Sequence, residues 1–261
     1  MRVWHVNLTW CGPRVDGIAV AVERLAAAQS AAGADVQVFC PMLDHRSRRC
    51  AIRTIGRELR RSASRPDVVH FHSLFRLLHT GLGPVLRRLG VPYVVSPHSA
   101  AAPAGLARRG ILKRAYTGVV ERRFLRRAAA VLCLTEAERV DVGRFAPLPP
   151  DSAVVVPNPV DAVDGIVWEP PRPPARPRVV TLSRFDVHQK GLDRLCAIAR
   201  RAPDVDFVVH GEVDKNAPAR AGQLERAAPP NLSLRPPVFG SDKDEALRRS
   251  TLFILPSRWE G

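Results

Sequence analysis

Lysine is almost missing. It stands only at positions 113, 190, 215 and 243, so 36 of the 40 cationic side chains are arginine. Aromatic residues are scarce as well, at 6% of 261 positions. That scarcity leaves no interleaved platform on which unpaired bases could stack. The formal net charge of +15 would attract a polyanion, but so lopsided an arginine excess reads as a GC-rich coding bias, and no nucleic-acid partner is expected. The cysteines, Cys11, Cys40, Cys50, Cys133 and Cys196, are odd in number and form no Cys-x-x-Cys pair, which excludes a zinc ribbon and a disulfide framework. Apolar runs such as residues 128–134 fall far short of the ~18 residues that cross a bilayer. The opening strand reaches Asn7 too early for a secretory leader. A soluble cytoplasmic protein is the expectation.

What is present is an ordinary globular balance, 46% hydrophobic and 25% charged, on a chain long enough for about two domains. The first forty residues read as strand, loop, helix, strand. Val3, His5 and Asn7 alternate with Trp4, Val6 and Leu8. A turn-forming loop runs to Gly17, helical spacing follows from Ile18, and Gly33 stands where a helix C-cap belongs. Further strands are expected at 35–40, 67–71, 92–96 and 128–134. A long basic helix before residue 128 would carry Leu112, Tyr116, Val119, Val120 and Phe124 on one face. Thr135 and Glu138 fit a capping box that opens the next helix. Ten of the 24 prolines crowd residues 147–177, so 166–177 is expected to be a stiff connector between a domain at 1–165 and a second at 178–261. Beyond it the alternation restarts: a strand at 178–183, a helix at 191–201 with Leu192, Leu195 and Ile198 inward, a strand at 207–209, a helix at 242–249 and a buried strand at 251–255. About three strands are expected in this second domain, which reads as incomplete.

Three places could carry chemistry. Arg184 and Lys190 bracket a loop that leaves a strand and enters a helix at Gly191, where helix N–H groups and two cations can converge on a phosphate. Glu260 follows the last strand, at the end of a sheet where α/β folds hold ligands. His98, in Ser96-Pro97-His98-Ser99, follows another strand and could orient or deprotonate a hydroxyl; a purely structural histidine is the alternative. His70 and His72 could form half of a metal site, but no third ligand is visible in the sequence, and no metal is expected. The spacings Asp204-x-Asp206 and Asp242-x-Asp244 fit those of metal-dependent sugar transferases, yet the first leads into a strand and the second reads as a helix start with a Ser241–Asp244 capping box.

In order along the chain, residues 67–72, the segment from Ser96-Pro97-His98 to Arg127, Val156-Pro157-Asn158-Pro159-Val160-Asp161, Ser183-Arg184 to Lys190-Gly191, and Pro256-Ser257 to Gly261 together resemble the retaining family 4 glycosyltransferases. The counterparts are that family's first-domain strand and its "SPHG", "PNGVD", "GR…KG" and "PSxxEG" segments. The resemblance implies a GT-B architecture, an α/β fold of two Rossmann-like domains, with the second one incomplete. It implies a nucleotide-sugar donor, which is a substrate and not a cofactor, and a saccharide or lipid-linked acceptor. Arg184 and Lys190 would neutralise the departing diphosphate, and Gly17 would let backbone approach the donor phosphate. Glu260 would sit beside the donor sugar and His98 on the acceptor side. The chain departs from the pattern at Asp16, Ser183 and Pro159, where glycines are usual. The second glutamate of the family's pair would fall beyond Gly261, so a catalytically silent remnant is the alternative. Arg108, Arg109, Lys113, Arg114, Arg122, Arg123, Arg126 and Arg127 raise the further expectation of peripheral contact with an anionic inner membrane face.

Overall fold

Strand β1 (Arg2–Asn7) is buried from Val3 onward because it has a parallel neighbour on each side, β2 (Asp35–Phe39) and β3 (Val68–His72). A strand inside a parallel sheet shows both faces to protein, so its apolar alternation is muted and even its histidine is enclosed. The computed structural model describes residues 1–7, 17–39, 48–103, 106, 117–160, 176–212 and 218–258. The sequence falls into two compact units that divide between Ala162 and Val163.

The first unit is a parallel six-stranded sheet in the order β2-β1-β3-β4-β5-β6, with β4 at Tyr93–Ser96, β5 at Ala130–Cys133 and β6 at Ala153–Val155. Trp4, Val6, Val69, Phe71, Tyr93, Val95, Val131 and Cys133 belong to one core cluster. Ile55 and Leu59 of helix α2 (Arg48–Arg60), and Leu82 and Leu86 of α3 (Leu77–Arg88), pack into the same cluster. The period-2 alternation of a strand sends the intervening residues, His5, His70, His72 and Ser96, to the opposite face. Helix α1 (Gly17–Ala31) ends as expected: Gly33 has a φ of 87° and Ala34 N–H donates to Gln29 O at 3.0 Å, a Schellman closure.

Several expectations need correction. Residues 117–121 form a π-turn that runs into α4 (Arg122–Leu125). Its wider turn shifts the helical phase, so Phe124 and Leu125 are buried while Val119 is 70% exposed. Leu112 and Tyr116 lie outside the described residues. Thr135 caps α5 (Glu136–Phe145), its Oγ1 accepting from Glu138 N–H at 3.1 Å. The reciprocal half of the box is different, because the Glu138 carboxylate turns to other donors.

The second unit is a parallel four-stranded sheet, β10-β7-β8-β9. It comprises β7 (Arg178–Leu182), β8 (Asp206–His210), β9 (Leu232–Arg235) and β10 (Leu252–Phe253). The expected count of three missed β9, whose run Leu-Ser-Leu-Arg is short and follows two prolines. Helix α6 (Leu192–Arg201) buries Leu192, Leu195, Cys196 and Ala199, and turns Ile198 outward. Asn231 Nδ2 closes its far end from 2.9–3.0 Å on the carbonyls of Ala199, Ala202 and Val205. Helix α7 spans Pro218–Ala227. Helix α8 (Gly240–Arg248) starts at Phe239 with no side-chain cap, so Ser241 and Asp244 form no capping box. Strand β10 is exposed because it pairs on one side only, with β7. Cys133 and Cys196 are buried free thiols, and burial pushes Cys133 up to about 12. No described helix is long and apolar enough to cross a membrane.

Burial holds His5, His70, His72 and His79 below the ordinary imidazole value of 6.5, His79 at about 3. An unfolded chain would take up protons at these positions that the folded unit refuses. The stability these rings contribute is therefore full above pH 6.5 and falls as the pH drops below it. Urea unfolding of the first unit, followed at neutral pH and near pH 5.5, should show a clear loss of midpoint in acid. An unchanged midpoint would contradict the buried, neutral state of these rings.

Candidate functional site

Every strand in both sheets runs parallel to its neighbours, so the loops that follow the strands collect at one edge of each sheet, where such folds bind ligands. At the edge of the second sheet, Ser183 N–H donates to His210 O at 3.0 Å and Phe185 N–H to Glu212 O at 2.8 Å. The chain then folds back on Asp186. Its Oδ1 accepts from His188 N–H at 3.1 Å and Gln189 N–H at 2.9 Å, and its carbonyl accepts from Lys190 N–H at 2.9 Å. Arg184 and Lys190 thus leave the two ends of one closed turn, Arg184 exposed and Lys190 half-buried.

Two glycines make the turn possible. Gly191 sits at the N-cap of α6 with a φ of 65°, and a Cβ there would overlap the Pro256 carbonyl oxygen. A Cβ on Gly211 would overlap the Ser183 carbonyl. Backbone therefore meets backbone at both places, a closeness only glycine permits. Arg258 completes the assembly. Its N–H donates to Gln189 O at 2.8 Å, its Nη1 to His188 O and Asp193 Oδ1 at 2.8 Å, and its Nη2 to Asp193 Oδ2 at 2.6 Å. This two-pronged pair holds the Asp193 carboxyl below its ordinary value. The segments 183–191 and 256–258, far apart in sequence, are in direct contact. Sequence reasoning missed Gly211, Asp193 and Arg258. Among the described residues, the buried Ser183 hydroxyl has no hydrogen-bond partner. Glu260 lies outside the described residues.

At the edge of the first sheet, His98 and Ser99 follow β4 with φ angles of 50° and 57°. For residues with a side chain this left-handed backbone costs of order 1–3 kcal/mol each and persists only when its surroundings impose it. Glu138 braces this backbone: Oε1 accepts from Ser99 N–H at 2.5 Å and Oε2 from Leu134 N–H at 2.6 Å. Burial pushes the Glu138 carboxyl up against the pull of those two donors. Gly17 opens α1 and is exposed, with a φ outside the left-handed region and no described atom within 4 Å of a Cβ built there. The described fold itself makes no demand for glycine at 17.

Around His98 the histidines meet. The β1–β3 register sets His5 opposite His70, and His72 is opposite Ser96 on β4. His5 Nε2 is 2.8 Å from Gln29 Oε1, His5 Nδ1 2.9 Å from His72 Nε2, and His72 Nδ1 3.1 Å from His98 Nε2. His70 Nε2 is 2.8 Å from Ser96 Oγ. His70, His72 and His98 line a pocket of about 310 Å³ that reaches Leu25 and Gln29 of α1. The third histidine that the sequence did not reveal is His5, and ring nitrogens of His5, His70 and His72 lie within 4.8 Å of one another. His5, His72 and His98 form a hydrogen-bonded chain of imidazoles, with His70 bonded to Ser96 beside it.

Comparison with solved structures gives the fold. Anabaena HepE, crystallised with UDP and glucose, is 12% identical with a TM-score of 0.66, over 97% of this chain and 73% of that one. The lipopolysaccharide outer core galactosyltransferase WaaB in its apo form is 13% identical with a TM-score of 0.65, over 100% and 75%. The catalytic domain of Arabidopsis thaliana starch synthase IV, bound to ADP and acarbose, is 14% identical with a TM-score of 0.67, over 99% and 78%. No curated protein sequence matches. Two family models do: the glycosyl transferase 4-like domain over residues 16–159, and family 4 glycosyltransferase in conflict systems over residues 117–261. Each spans more than half of the sequence, and with two parallel α/β sheets of the GT-B kind beneath them, this chain belongs to the family 4 glycosyltransferases.

Proposed function

We propose that the chain moves a hexose, with retention, from a nucleotide-sugar donor to a hydroxyl acceptor in cell-surface polysaccharide or glycolipid synthesis. The observation that supports this reading is the closed turn at 183–191, from whose two ends Arg184 and Lys190 leave beside the start of α6, at the kind of sheet edge where parallel α/β folds hold ligands. Breaking a sugar–phosphate bond builds negative charge on the departing oxygen. Cations and N–H dipoles already aimed there lower the barrier without reorganising at the moment of reaction. In this reading Arg184 and Lys190 receive the diphosphate and Glu260 stands beside the donor sugar. Gly17 allows close backbone approach, and His98 meets the acceptor hydroxyl.

Peripheral contact with an anionic inner membrane face belongs to the same reading. Arg122, Arg123, Arg126 and Arg127 cluster on and just beyond α4, and the nearby Arg123 and Arg87 join desolvation in lowering the Arg127 guanidinium below its ordinary value. Crowded like charges of this kind are relieved by an anionic surface. Co-sedimentation should be stronger with phosphatidylglycerol vesicles than with phosphatidylcholine vesicles and should fade with salt; equal pelleting with both removes the contact.

The donor reading is tested by thermal shift with UDP and ADP, the nucleotides held by the HepE and starch synthase structures. A competent site stabilises the fold by mass action, by about 2.7 kcal/mol at a hundredfold excess over Kd, and so raises the melting temperature. Lys190→Ala and Arg184→Ala should each weaken that binding about tenfold or more, because a charge-assisted hydrogen bond contributes about 1.5–3 kcal/mol. No shift with any nucleoside diphosphate would favour the silent remnant.

Gly191→Ala should abolish nucleotide binding and lower the melting temperature together, since the added methyl meets backbone at Pro256 and an unfavourable φ. A variant that still binds UDP or ADP at full affinity would separate the turn from the donor site.

A further inference from the structure

The cluster at the edge of the first sheet contains more order than a transferase reading asks of it. With the Gln29 amide set so that Oε1 faces His5 at 2.8 Å, Gln29 accepts and His5 donates through Nε2–H. A neutral imidazole has one donor and one acceptor, which leaves the His5 lone pair on Nδ1. His72 Nε2, at 2.9 Å, must donate into that lone pair. Its own lone pair is then on Nδ1, and His98 Nε2 at 3.1 Å must donate in turn. One amide on α1 dictates three ring tautomers in sequence.

We propose that Gln29, His5 and His72 are positioning residues that fix His98 as its Nε2–H tautomer, with the lone pair held on Nδ1. The geometry supports this from both sides of His98. The imidazole chain holds the ring, and Glu138 holds the left-handed backbone through Ser99 N–H. Neutrality is required throughout, because a protonated ring donates at both ends and breaks the direction. Burial keeps His5 and His72 neutral. The purpose of the device rests on the transferase reading: a group that meets an acceptor hydroxyl works through one particular nitrogen. Its existence does not.

The test separates the two. With nitrogen-15-labelled histidine in the full chain at neutral pH, long-range proton–nitrogen correlation reads each tautomer directly. His5, His72 and His98 should each give a single Nε2–H pattern. Gln29→Leu removes the terminal acceptor and, in a variant that keeps the native melting profile, should mix the tautomers of His5, His72 and His98. Gln29→Glu, which still accepts, should restore the single pattern. Turnover of UDP-glucose should follow, with kcat falling severalfold in Gln29→Leu, KM unchanged, and recovery in Gln29→Glu. An Nδ1–H pattern at His98, or a His98 signal indifferent to Gln29→Leu, overturns the chain while leaving the transferase reading intact. Full turnover in His98→Ala with the tautomers as expected overturns the role given to His98 and leaves the chain standing.

Discussion

Parallel pairing delivers the segment after each strand to one edge of its sheet, and everything chemical in this protein follows from that delivery. In the second unit it brings the ends of β7, β8 and β10 together, so that residues 183–191, 211–212 and 256–258 share hydrogen bonds. In the first it sets His5, His70, His72 and Ser96 on one face and leaves His98 just past the end of β4. An antiparallel sheet from the same segments would have divided these residues between two ends.

The two edges are built by different means. Around Arg184 and Lys190 the limiting factor is space: backbone touches backbone at Gly191 and Gly211, and the Arg258–Asp193 pair locks the result. That ion pair is well exposed, with Asp193 at 45%, so its worth lies in geometry more than in stability. Around His98 the limiting factor is desolvation. Burying several imidazoles and a carboxylate is costly unless each finds a partner, and Gln29, Ser96 and the N–H groups of Ser99 and Leu134 supply them. The first edge keeps its cations in reach of solvent; the second keeps His5, His70 and His72 neutral and enclosed.

Much of the fold was legible because strand and helix periods are local. The β1–α1–β2 unit, the Gly33 cap and the Thr135 cap appear where composition puts them. Errors arose where an element departs from its regular period or depends on a neighbour. The π-turn at 117–121 moved Val119 out of the buried face, and Ile198 points outward because Cys196 and Ala199, small and weakly marked in the sequence, pack inward instead. Strand β10 looked like a core strand by composition and is an edge strand by pairing.

The amino-acid sequence by itself determined the two α/β halves, the order of the motifs and the residue types offered for chemistry, because those follow from periodicity and spacing along one chain. Tertiary structure alone decided which of these residues meet. The His5–His70 and His72–Ser96 registers, the contact of Gly191 with Pro256, and the reach of Glu138 to Ser99 join positions tens of residues apart. Such contacts are fixed by sheet pairing and close packing, and neither leaves a trace in any single stretch of sequence.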